Sequence, residues 1–196
     1  IEMDLGVRAQ ESSLSGIFGQ GERLCMPPYQ RSYSWGEREA LDLLGDLAEA
    51  TDSNIPHFIG AIVLVNGAES GMVEIVDGQQ RLTTLTILLA VLRDLEPDKE
   101  RAAALHAMIA DDPRPMLGEA ANWRLTLNYM DGAFFRDTIQ RLGATKTLRN
   151  EPGESDSQQR MVGNASALLK ELKQMPDERR HALTDTVVTG CALVRV

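Results

Sequence analysis

Asp77, Gly78, Gln79, Gln80 and Arg81 set an acid, a glycine, two amides and a guanidinium in consecutive positions, and Thr83 and Thr84 follow. An apolar run ends just before them and helical spacing begins just after. A carboxylate at Asp77 can cap the first free N–H groups of such a helix, while Gly78 lets the chain turn sharply. A capped helix start leaves the arginine unexplained, because the N-terminal end of a helix already carries partial positive charge. Arg81 makes sense there if an anion is bound. Helix N-termini receive phosphate through exposed N–H groups, and a guanidinium adds a two-pronged clamp. Gln79 and Gln80 would then supply neutral hydrogen bonds to phosphate or water, and Asp77 would hold Mg²⁺ directly or through water. Both readings, capped helix and phosphate site, stay open on residue types alone.

A second concentration is Pro27, Pro28, Tyr29, Gln30, Arg31, Ser32, Tyr33, Ser34 and Trp35, which holds two of the three tyrosines and one of the two tryptophans. Aromatic planes stack on bases and arginine binds phosphate, so a nucleotide or DNA pocket wall is one reading. The other is an aromatic plug that packs the loop onto the core. His57, His106 and His181 show no metal-ligand spacing, and Cys25 and Cys191 form no paired motif, so neither a zinc site nor a disulfide framework is indicated.

These groups need elements to hold them. Phe58 to Val65 is a nearly continuous apolar run, read as a strand covered on both faces, and Met72 to Val76 is its hairpin partner across a turn of Asn66, Gly67, Ser70 and Gly71. Leu82, Leu85, Thr86, Leu89 and Leu92 share one helical face, which carries a helix to about residue 95. The S-x-x-E spacing of Ser34 and Glu37 predicts a capping box before a helix over about 36–51. Further helices are expected from Pro97 to about 110, from Tyr129 to Leu142, and over about 158–175 and 177–189, before a strand at 191–196. The polar stretch 143–157 reads as a flexible loop. This divides the chain into a unit over 1–142, that loop, and a helical C-terminal part of the same domain over 158–196.

Forty-three per cent hydrophobic residues in 196 suffice for one real core, and no apolar run reaches the roughly 20 residues of a membrane-spanning helix. With no basic-then-apolar leader in Ile1, Glu2, Met3 and Asp4, a cytoplasmic protein without membrane contact is expected. The start at Ile1 and the stop inside an apolar run read as a truncated piece of a longer chain. A net charge of −9 argues against a broad electrostatic grip on nucleic acid.

The runs PPYQRSYSW, HFIGAIVLV and EIVDGQQRLTTLTILLAVL, in that order and spacing, closely resemble the N-terminal domain of GmrSD-type restriction endonucleases, and NWRLTLNYMDGAFFRDTI resembles the family's next block more loosely. The resemblance implies an α+β fold: a ParB/sulfiredoxin-like small mixed sheet with a hairpin, elaborated by several helices. It implies that Asp77, Gly78, Gln79, Gln80 and Arg81 bind and hydrolyse a nucleoside triphosphate (GTP, UTP or ATP) with Mg²⁺. Asp77, Gln79, Gln80 and Arg81 would be catalytic, and Gly78, Thr83, Thr84, Tyr29, Gln30 and Arg31 would bind the nucleotide. Tyr33, Trp35 and His57 would line the pocket or touch DNA. The activity implied is regulatory, controlling cleavage of modified DNA by an HNH-type nuclease domain or partner subunit. The alternatives are a modified-DNA-binding module without hydrolysis and a protein-interaction piece of a restriction complex. Two departures stand out: no His-and-Asn nuclease motif occurs, and no cysteine occupies the DGQQR segment, which removes sulfur reduction.

Overall fold

The computed structural model describes residues 8–19, 21–53, 55–148 and 153–196. Its main sheet has six strands: β1 (Gln10–Ser12), β2 (Arg23–Cys25), β3 (His57–Asn66), β4 (Met72–Asp77), β7 (Leu125–Thr126) and β8 (Cys191–Arg195). They lie in the order β1-β8-β3-β4-β2-β7. β3 and β4 form the antiparallel hairpin, while β8 joins β3, and β2 joins both β4 and β7, in parallel. The sheet is therefore mixed and the fold is α+β. A separate two-stranded ladder pairs β5 (Ala110–Asp111) with β6 (Asn122–Trp123).

The helix after the hairpin, α3 (Gln79–Leu95), is the centre of the core: every residue from Leu82 to Asp94 is buried. A helix buried all round needs cover on every side. It packs against α4 (Lys99–Ala107) and α6 (Asp156–Gln174), and α6 in turn packs on α2 (Glu37–Ser53). α2 is amphipathic, burying Ala40, Leu43, Leu44, Leu47 and Ala50 and leaving its acidic residues outside. The short α1 (Leu14–Phe18) and the helix α7 (Asp177–Asp185) complete the helical set with α5 (Gly132–Phe135). Among the described residues no helix is long and apolar enough to cross a membrane.

Several local expectations change. β3 is not covered on both faces: Ile59, Ile62 and Leu64 are buried, but Phe58 and Val65 are exposed. Its pairing with β8 shifts register between Phe58 and Gly60, where Gly60 takes φ 127°, so the strand bends at the point nearest the site. The capping box is displaced by two residues. The helix starts from Gly36, whose N–H donates to Glu39 Oε2 at 2.9 Å. Ser34 cannot serve as the cap because its own N–H donates to the Gln80 side chain, while its hydroxyl accepts from Arg31. The helix expected over Tyr129 to Leu142 is the shorter α5 followed by a π-turn at Arg136–Gln140, whose Ile139 and Gln140 carbonyls accept from the buried Arg93. Within 143–157, Ala144–Thr147 forms a 3₁₀ turn and Ser155 caps α6; residues 149–152, like the first seven, lie outside the described residues.

Candidate functional site

β4 hands over to α3 at Gly78, which takes φ 93°. A Cβ there would lie 2.7 Å from Ile62 Cγ2 and 3.2 Å from the Ala61 carbonyl, so the turn sits tight on β3 and requires glycine. Gly78 brings no side-chain cap, and Asp77 is exposed at the strand end and caps nothing among the described residues. The capping role expected of Asp77 is thus absent, because with Gly78 itself at the N-cap position Asp77 still belongs to the strand.

The two glutamines tie the 27–35 loop to the start of α3. Gln80 Oε1 accepts from the Ser34 and Trp35 N–H groups at 2.7 and 3.3 Å, and its Nε2 donates to the Ser32 carbonyl. Gln79 Nε2 donates to Gln30 Oε1 at 3.0 Å, and Gln30 Nε2 donates to the Val76 carbonyl at 2.9 Å. Gln79 Oε1 is buried without a partner among the described residues. Thr83 and Thr84 are fully buried, with their hydroxyls donating back to the carbonyls of Gln79 and Gln80. Tyr33 is buried too, its phenol within 2.8 Å of Thr84 Oγ1. Burial pushes its pKa up, partly offset by its hydrogen bonds with Thr84 and Asn164. Tyr29 and Arg31, by contrast, are exposed.

Arg81 points the other way. It enters a cleft of about 240 Å³ lined by Trp35, Glu39, Asp42, Leu43, Asp46, His57, Phe58 and Ile59. Its guanidinium lies against the backbone of Gly60, where a Cβ would come within 2.5 Å of Cζ. The Trp35 ring centroid is 6.0 Å from the same carbon, at the outer limit of a cation–π contact. Among the described residues no carboxylate forms an ion pair with Arg81, although three line its cleft. Glu39 is already committed: hydrogen bonds from its own N–H and that of Gly36 hold its carboxyl below the usual range. Asp42 and Asp46 stand one helical turn apart on the exposed side of α2.

The five-residue motif therefore divides. Gly78 makes the turn, Gln79 and Gln80 hold the loop, and Arg81 alone faces the cleft, with Trp35 and His57 as neighbours; Asp77 is not part of the lining. Among the described residues no group of three or more His, Cys, Asp or Glu side chains converges to hold a metal. Neither thiol is primed as a nucleophile: burial pushes Cys191 up to about 11, and burial with the nearby Glu74 charge raises Cys25. Sequence reasoning missed Gly60, Asp42, Asp46 and Asn164. Each joins the site only through tertiary contact, so no local spacing could have marked it.

A profile of the family described as GmrSD restriction endonuclease, N-terminal domain, matches residues 14–194. No curated protein matches the chain.

Proposed function

The chain belongs to the GmrSD restriction endonuclease N-terminal domain family, and from that premise we propose that it is the nucleoside-triphosphate-binding and hydrolysing regulatory domain of a modification-dependent DNA restriction system. The nuclease it controls, an HNH-type domain or partner subunit, is supplied elsewhere. On this reading the sheet and its helices are an elaboration of the ParB/sulfiredoxin type, working in the cytoplasm.

One observation carries the proposal: a guanidinium laid on a glycine backbone, facing a cleft, with no carboxylate partner among the described residues. An arginine left so is placed for an anion that comes from outside, and its planar fork matches phosphate oxygens. Trp35 gives that ligand an apolar, stackable wall. The acidic residues across the cleft would repel a bare triphosphate, so binding should need a divalent cation. Mg²⁺ is held by one or two carboxylates together with substrate phosphates rather than by a protein cage. Asp42 and Asp46 suit that role better than Asp77, because they line the Arg81 cleft and Asp77 does not. When bound, Mg²⁺ would neutralise phosphate charge. Orientation of the attacking water falls to His57 and the α2 carboxylates, since the Gln80 amide is spent on the loop.

A second reading, a modified-DNA-binding module without hydrolysis, is favoured by Tyr29, which is 75% exposed beside the exposed Arg31. Thermal stabilisation by GTP, UTP and ATP, each with and without Mg²⁺, separates the two, because a ligand that binds only the folded state raises its melting temperature. A magnesium-dependent rise with at least one nucleotide, abolished by Arg81→Ala, is the expected result. An Arg81→Ala protein that binds as well as the parent would overturn the assignment, and salt-dependent DNA binding without phosphate release would favour the second reading.

A further inference from the structure

We infer that Asn164, on α6, is a positioning residue that sets Trp35 and thereby the wall of the Arg81 cleft, through a one-way chain of hydrogen bonds reaching the first turn of α3. The consequence for nucleotide binding rests on the function proposed above; the chain itself does not.

The direction of the chain follows from donor counting. A backbone carbonyl can only accept, so Thr84 Oγ1 spends its single proton on the Gln80 carbonyl at 2.8 Å. The 2.8 Å contact between Tyr33 and Thr84 must then have the phenol donating. With its proton so used, Tyr33 Oη accepts from Asn164 Nδ2 at 2.7 Å. The other proton of that amide goes to the Trp35 carbonyl at 2.9 Å. An amide turned the other way round would set its oxygen against the Trp35 carbonyl and against a phenol with no proton left, which favours this orientation even though it leaves Asn164 Oδ1 buried without a partner among the described residues.

Trp35 is therefore gripped from two helices. Its N–H donates to the Gln80 side chain on α3, and its carbonyl accepts from Asn164 on α6. The ring between them faces Arg81. Asn164, Tyr33 and Thr84 are all buried, so losing one link leaves a buried polar group without its partner. Burial also keeps the Tyr33 phenol protonated, as its donor role requires. Asn164 touches neither Arg81 nor the cleft that Arg81 enters. Its effect must pass through Tyr33 and Trp35.

The test uses the full chain carrying Trp123→Phe, which leaves Trp35 as the one tryptophan of the two. Trp35 emission and acrylamide quenching are read alongside nucleotide affinity with Mg²⁺. Asn164→Asp keeps the shape but donates nothing; Tyr33→Phe and Thr84→Val each delete one hydroxyl. Each is expected to red-shift Trp35, expose it to quencher and weaken nucleotide binding roughly three- to ten-fold. The Asn164→Asp/Tyr33→Phe double variant should be no worse than the worse single one, and Thr84→Ser should restore the parent signal. Single variants that melt earlier but leave Trp35 emission at the parent wavelength would sink the inference, as would effects that multiply in the double variant. If Asn164→Asp does not fold, the Thr84→Val and Thr84→Ser pair decides the matter alone. A parent that binds no nucleotide defeats the proposed function, and the Trp35 signal still decides the chain.

Discussion

Two arginines sit on α3, Arg81 in its first turn and Arg93 in its last, and the helix treats them in opposite ways. Arg93 is 1% exposed and saturated. It pairs with Asp94 at 2.8 Å, donates to the carbonyls of Gln140 and Arg141 at 2.7 and 2.8 Å, and contacts His106 Nδ1 at 3.0 Å. Asp94 in turn accepts from the Gly143 and Thr145 N–H groups and the Thr145 hydroxyl. Burial alone would raise the Asp94 carboxyl, but the Arg93 hydrogen bond and charge, with the bonds from Thr145 and Gly143, hold it below its usual value. Arg81 has none of this and stands where the helix dipole opposes it, whereas Arg93 stands where the dipole favours it. A fully partnered arginine staples α3 to the segment over 136–145. Arg81, with no ion-pair partner among the described residues and set against a glycine backbone and an indole, is on the proposed reading placed for an anion from outside.

The sharpest way to break this contrast is to exchange stability and binding readouts between the two positions. Arg93→Leu leaves the Asp94 carboxylate buried and several carbonyls unpaired, and should cost about 3–5 kcal/mol of folding stability. Urea denaturation measures it. Arg81→Ala should change stability by less than about 1 kcal/mol while removing nucleotide binding. A large stability loss at Arg81, or a negligible one at Arg93, would erase the distinction. A smaller effect is expected at Gly60. Gly60→Ala strains a backbone at φ 127° and pushes the guanidinium aside, since the added Cβ would sit 2.5 Å from Cζ. We expect a loss of about 1–2 kcal/mol from the backbone and a weaker grip on nucleotide. A Gly60→Ala protein that loses stability but keeps the parent affinity for nucleotide would show that the glycine does not seat the guanidinium.

The strand, Asp-Gly turn and long helix were legible in the sequence, because the apolar run and the helical spacing change sharply at Asp77. Arg81 stood out there by its place at the helix start, but the role of Arg93 did not. Arg93 lies within a run of helical residues like any surface arginine, and only the π-turn at Arg136–Gln140, brought close by the fold, makes it a staple. The capping box failed for a related reason: Ser34 and Glu37 have the right spacing, but the Gln80 side chain, far away in sequence, captures the Ser34 N–H and moves the start of the helix to Gly36. The glutamines of the motif invited a catalytic reading because an amide can orient water. Their bonds to Gln30, Ser32, Ser34 and Trp35 exist only once the loop folds back. In each case the local pattern set the element and a distant partner set the job.

The smallest effect expected concerns pH, and it sharpens the picture of the Arg93 end. His106 is half-buried, and burial first, then the Arg93 charge, lowers its pKa below the usual 6.5. Because Arg93 can only donate, His106 Nδ1 must be the acceptor and the ring is neutral. A group whose folded pKa is depressed binds fewer protons folded than unfolded in the window between the two values. The neutral ring's contribution is therefore complete above about pH 6.5 and is lost as pH falls through the lower folded value. Asp94 stays ionised throughout that window, its own pKa lying below the usual carboxylate value. Stability measured from pH 7.5 down to 5 should thus decline in the parent and decline less in His106→Leu. Among the described residues Arg81 has no titrating acceptor at hydrogen-bond distance, so Arg81→Ala should keep the parent slope. Should both variants follow the parent, the proton uptake belongs to another group, and the neutral ring at Arg93 would no longer mark that end of the helix as the one built for the fold.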